Sequence, residues 1–189
     1  MVIGSALIIA VIIVAVIQAA NYSALEQKRK AVRNKSAMKQ TQMSEETKRL
    51  HNQIMSLETE VAQNPADISK TTDLANSYFD IGNFGKAIDY YEKVLKVAPD
   101  NPNILIDTGV CYFNLSKSDS AIFYLKKALA VDPNHKQGLY NLGIIYYNLN
   151  KTDEAVSVWK KLIQIHGGSR EAENARKFIE QISKQSKSL

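Results

Sequence analysis

The chain is poor in the residues that build covalent or metal-held sites. Cys111 is the only thiol among 189 residues, so no internal disulfide can form. The three histidines, His51, His135 and His166, fall on separate segments without metal-ligand spacing. The glycines stand at turns and packing positions and form no phosphate-cradling loop. Carboxylates are scattered, and Asp153-Glu154 read as charges favouring a helix N-terminus, not as an acid/base pair. These gaps argue against an enzyme: no catalytic residue, metal, cofactor or small-molecule substrate is expected.

Charge is also missing where a nucleic-acid footprint would need it. The net charge is +5, from 24 basic and 19 acidic residues. Lys28, Arg29, Lys30, Arg33, Lys35 and Lys39 against the single acid Glu26 account for the whole excess. The rest of the chain is balanced, so nucleic acid is not an expected partner.

What is present is a stretch written three times, residues 68–101, 102–135 and 136–169. Shifting the chain by 34 residues aligns Tyr78, Tyr112 and Tyr146, and likewise Ala87, Ala121 and Ala155. Gly109 aligns with Gly143, and Pro99 with Pro133. A fixed period of this length signals stacked supersecondary units. In the third copy, Leu139, Leu142, Gly143 and Tyr146 mark one face of a helix, and Ala155, Val156, Trp159, Leu162 and Ile163 mark a second. Gly143 and Ala155 are small where two helices must approach. Gly82 and Asn150 suit a left-handed helix end, with Ser116 a weaker stop in the second copy. Asp67 and Asn101 suit N-caps, Pro102 suits a first turn, and Cys111 suits buried packing.

These residues resemble the tetratricopeptide repeat (TPR) family, whose pattern runs W-x2-L-G-x2-Y followed by Ala, an aromatic, Ala and Pro. The third copy matches through Leu139, Leu142, Gly143, Tyr146, Ala155, Trp159 and Leu162. The second offers Leu105, Thr108, Gly109, Tyr112, Ala121, Leu125, Ala128 and Pro133, and the first Leu74, Ala75, Tyr78, Ala87, Tyr91 and Pro99. The opening Trp is absent from every copy, and Gly167 replaces the last Pro. The resemblance implies a right-handed TPR superhelix of three repeats with a capping helix; together with the flanks read below, the expected fold is all-α, with an N-terminal transmembrane helix and a helical stalk before that superhelix.

It also implies a concave surface, lined by the first helix of each pair, that binds a protein helix or an extended peptide segment. Carried onto this chain, that groove comprises Asn76, Phe79, Ile106, Val110, Phe113, Asn114, Tyr140, Asn141, Ile144, Tyr147 and Asn148. An apolar centre with a polar rim suits such a segment. The alternative for Phe79 and Phe113 is filling contacts between neighbouring repeats. One TPR subclass clamps the C-terminal carboxylate of chaperones with Lys, Asn, Asn, Lys and Arg. The matching positions here are Thr72, Asn76, Asp107, Gln137 and Asn141; every cation is missing, so chaperone tails are not expected ligands.

The flanks complete the reading. Residues 2–20 carry no charge and match the hydrocarbon thickness of a bilayer, so residues 1–22 are expected to be an uncleaved membrane anchor; a signal peptide is the competing reading. Lys28, Arg29, Lys30, Arg33 and Lys35 would then lie at the membrane surface and hold the repeats in the cytoplasm, the alternative being export to the periplasmic side. Residues 23–63 read as a basic juxtamembrane stalk and an N-terminal capping helix. Leu50, Ile54, Leu57 and Val61 sit one repeat before Phe84, Ile88, Tyr91 and Leu95, as an orphan second helix would; a short coiled coil is the alternative. Residues 170–183 form a C-terminal capping helix opened by Ser169, and 184–189 a frayed tail. The expected function is a membrane-anchored TPR adaptor that serves assembly of a membrane protein complex. A permanent structural subunit or a precursor receptor is the alternative.

Overall fold

The computed structural model describes the backbone of residues 2–186; the side chains of 2–20, 23, 42–44 and 186 lie outside the described set. Every described element is a helix. They run α1 (Val2–Gln63), α2 (Ile68–Asp80), α3 (Phe84–Val97), α4 (Pro102–Asn114), α5 (Ser118–Val131), α6 (Lys136–Asn148), α7 (Thr152–His166) and α8 (Arg170–Ser186). The chain divides into two units, Met1–His51 and Asn52–Leu189.

The first unit is helix alone, and its described side chains are almost all exposed. Lys48–Glu45 and Arg29–Glu26 are contacts along one helix surface, worth a few tenths of a kcal/mol each. The membrane anchor expected over residues 2–20 does not stand. Among the described residues no helix is long and apolar enough to cross a membrane. The side chains of the apolar run lie outside those residues. The helix carrying the run does not end with it, but continues through the basic segment to Gln63. With the anchor go the single-pass localisation, cytoplasmic or exported, and the headgroup-facing role of Lys28, Arg29, Lys30, Arg33 and Lys35. Those basic side chains are exposed on α1.

The second unit is a row of helical hairpins, α2–α3, α4–α5 and α6–α7, followed by α8. Side chains close the orphan N–H groups at several helix starts. Asp67 Oδ1 accepts from Lys70 N at 3.0 Å, and Asn101 Oδ1 from Asn103 N and Ile104 N at 3.1 and 3.3 Å. Asn83 caps α3 and Ser169 caps α8 in the same way. His135 caps α6 through Nδ1, which accepts from Gly138 N at 3.3 Å. Each hairpin turn passes through the left-handed region, at Gly82 (φ 74°), Ser116 (φ 60°) and Asn150 (φ 58°). Ser116 is thus no weaker stop in geometry, only a more strained one.

Small residues let the paired helices close, though not uniformly. A Cβ on Gly109 would lie 3.1 Å from the Ala121 carbonyl oxygen, a true backbone approach. At Gly143 the obstacle is a side chain: the Cβ would lie 2.2 Å from Trp159 Nε1. The Trp159 indole is fully buried over that glycine and donates to the Tyr140 carbonyl at 3.2 Å.

The core lies in two clusters along the row, bridged by the half-buried Leu95 and Tyr112. Leu74, Ala75, Tyr78, Ala87, Tyr91 and Val94 are buried together with Ile54, Leu57 and Val61 from the end of α1. Leu105, Ala121, Leu125, Leu139, Leu142, Trp159 and Leu162 continue the packing to Ala172 and Ala175 of α8. Burying apolar surface at roughly 25 cal/mol per Å² is the main force holding such an array. Ion pairs between elements, Lys70–Glu60 at 2.8 Å and Lys136–Glu171 at 3.3 Å, are partly exposed and contribute little.

Candidate partner-binding groove

The first helix of each hairpin carries two kinds of position. Leu74, Leu105 and Leu139 point into the core, while the residues next in register fall on an inner face. At its N-terminal end this face forms a polar cavity of about 400 Å³ between the last turns of α1 and α2. Gln53, Ser56, Leu57 and Glu60 line one wall, and Lys70, Asp73, Asn76, Ser77 and Asp80 the other. Asn76 is oriented by the buried Tyr91, whose hydroxyl donates to Asn76 Oδ1 at 2.7 Å. At the opposite end, between α6 and α8, a second cavity of about 360 Å³ is lined by Tyr140, Asn174, Lys177, Phe178 and Gln181.

The expected groove residues are not all placed alike. Asn76, Asn114 and Asn148 are exposed, the latter two donating to Val110 O and Ile144 O of their own helices. Val110, Phe113, Tyr140, Asn141 and Ile144 are half-buried, so each keeps surface available. Phe79 is half-buried against Phe84, edge to face with ring centres 5.7 Å apart. Tyr147 is half-buried against the stacked pair of Trp159 and Phe178, centroids at 6.0 and 5.5 Å, which makes it largely a packing residue. Ile106 is in the core at 3 % exposure and lines no open surface. The cause is one repeat further on: Gly138 leaves a space, and Ile106 Cδ1 lies 3.3 Å from where its Cβ would be.

Four lining residues, Asn174, Lys177, Phe178 and Gln181, come from α8 and were not among the expected groove positions. Their signal is an amphipathic helix beginning where a fourth repeat would begin, at Arg170, one repeat after Lys136.

Electrostatically, the middle of the inner face belongs to Asp107. Burial pushes its carboxyl up to about 6, and no described residue donates a hydrogen bond or ion pair to it. Tyr91 is held above its usual range by burial first, then by Asp107, Cys111 and Asp80. Cys111, fully buried, is pushed up to about 12 by burial and by Asp107. A thiol so protonated is a packing group. No cluster of three or more possible metal ligands occurs among the described residues.

Comparison with known proteins follows this geometry. Residues 80–162 match the family model described as anaphase-promoting complex, cyclosome, subunit 3. A crystal structure of MamA superposes with a TM-score of 0.57 at 21% identity, covering 71% of this chain and 89% of that one. A C2 crystal form of MamA from MSR-1 gives 0.59 at 26% identity, covering 65% and 70%. The first TPR of Spaghetti (RPAP3), bound to the HSP90 peptide SRMEEVD, gives 0.56 at 25% identity, covering 61% and 93%. No curated protein matches the chain. The chain has a TPR-like repeat fold.

Proposed function

We propose that this chain is an adaptor that holds a helical or extended segment of a protein partner along the inner face of its repeats. The observation that carries the reading is the inner face itself. Val110, Phe113, Tyr140 and Ile144 keep apolar surface accessible beside the polar side chains of Asn76, Asn114, Asn141 and Asn148, while other residues fill the core. An apolar strip bordered by amides suits an amphipathic segment, whose backbone or polar face the amides can meet. The RPAP3 structure, with a peptide bound to similar repeats, supports the same reading.

The finer expectation, assembly of a membrane complex, rested on the anchor and is not retained. Assembly of a protein complex through the groove remains the reading. Paired surface variants test it. Tyr140→Ser with Ile144→Ser should abolish partner recovery from extracts, whereas Phe123→Ser, 63 % exposed on α5, should leave it intact. Equal loss from both variants, or from neither, contradicts the groove.

A further inference from the structure

The inner face contains a half-buried carboxylate to which no described residue donates. Asp107 stands on α4 midway along the row, flanked by Tyr91 and Cys111, and with Asp80 near the same tyrosine. Each neighbour is neutral or negative. Every other half-buried polar contact nearby is closed: the Tyr91 hydroxyl takes Asn76, and Thr108 Oγ1 donates to Ile104 O at 2.7 Å. Its oxygens keep contact with water, and a cation or donor that reaches them makes a charge-assisted hydrogen bond. Nothing within the described residues does so.

Surroundings of this group favour one kind of visitor. One repeat before it, at the register position of Asp73, the cavity at the N-terminal end exposes Asp73 and Asp80, and its one cation, Lys70, is already engaged by Glu60 at 2.8 Å. Toward the C-terminal end Val110 and Ile144 present apolar surface, and in the cavity of Tyr140 and Phe178 the one cation, Lys177, is paired with Glu173 at 2.8 Å. An occupant that satisfies both halves has an apolar stripe at one end and a basic side chain at the other.

Building on the groove proposed above, we infer that it selects a basic amphipathic protein segment, with an Arg or Lys of the partner paired to Asp107. Asp107 is then the specificity-determining residue. It favours a cation, and it repels the acidic tails for which a position such as this carries a neutral amide in the clamp subclass. Guanidinium is the better fit, because its planar fork satisfies both carboxylate oxygens at once.

The test uses the full chain and four synthetic helical peptides, identical except for Arg, Lys, Ala or Glu at the central polar position. Affinities are read by fluorescence anisotropy at neutral pH. The wild type should bind the Arg and Lys peptides at least about tenfold more tightly than the Ala peptide, and the Glu peptide most weakly. Asp107→Asn and Asp107→Ser should each erase the difference between Arg and Ala while still binding the Ala peptide. Circular dichroism melts establish that both variants are folded. Equal affinity for all four peptides overturns the charge selection and leaves the groove standing. Failure of all four to bind takes both down, and a preference that survives in both variants assigns it elsewhere and overturns the role of Asp107.

Discussion

The Tyr112 hydroxyl donates to Glu92 Oε1 across 2.9 Å, joining the second hairpin to the last helix of the first. One repeat earlier the Tyr78 hydroxyl donates to Glu58, so the final turns of α1 occupy the place of a second helix. The surrounding groups repeat as well: Tyr78 stacks on Tyr90, and Tyr112 on Tyr124, at ring separations of 5.7 and 5.3 Å. Tyr112 and Tyr124 both donate to Glu92, the second at 3.2 Å. The third copy has Lys126 where Glu92 would fall, and there the pair is absent by sequence.

Tyr112→Phe therefore removes one cross-repeat hydrogen bond and should cost about 1 kcal/mol in urea unfolding. Glu92→Ala should cost more, because it strands two tyrosine hydroxyls. A neutral Tyr112→Phe contradicts a role for the bond in coupling the hairpins.

Gly143→Ala places a methyl against the Trp159 indole and should destabilise by about 1–3 kcal/mol. Combining it with Trp159→Leu, the residue that Leu125 supplies in the preceding repeat, should recover part of that loss. Purely additive effects in the double-mutant cycle would falsify the steric account.

Ser116→Gly should raise the melting temperature. A non-glycine residue at φ 60° costs of order 1 kcal/mol, partly offset by the larger entropy of glycine in the unfolded chain. A net gain of about 0.5 kcal/mol is expected, and a loss shows that Ser116 contributes contacts beyond its backbone geometry.

Much of this fold is legible in the chain because the repeat fixes which faces must be buried. Leu74, Leu105 and Leu139 fall in register and all are core. Register alone does not decide Ile106, which aligns with the half-buried Thr72 and Tyr140. Its burial depends on the missing side chain of Gly138 in the next unit, a contact between repeats and not within one. Tyr147 is taken up by Phe178 for a related reason: α8 supplies an aromatic that the repeat pattern does not anticipate. The cap from His135 falls in register with Asp67 and Asn101, although imidazole is an unusual capping group, whereas Asn83 has only Lys117 and Lys151 at its register positions and neither caps. The apolar run at residues 2–20 was misleading as a measure of location, since composition in a short window does not show where the helix that contains it ends.

Asp107 gives a pH prediction with a definite sign. Its folded pKa of about 6 lies above the ordinary 3.8, so the folded state holds this proton more tightly than the unfolded chain. Stability should fall as pH rises from about 4 to about 6 and stay lower above that. Its neighbours Tyr91 and Cys111 supply no positive charge to oppose the trend. Asp107→Asn should stabilise the free protein above pH 6, by about 3 kcal/mol at most, and lose that advantage as pH falls toward 4. Denaturant midpoints across that range check it; an advantage independent of pH contradicts the burial-driven shift.

The central claim is that a partner segment lies along the inner face. A photo-crosslinking amino acid placed in turn at Tyr140, Asn76 and Phe123 tests it most directly, because each position reports only on what touches it. The account requires crosslinks to one protein partner from positions 140 and 76 and none from 123, on the outer surface of α5. Crosslinks from position 123 alone would show that recognition occurs on the opposite side of the array.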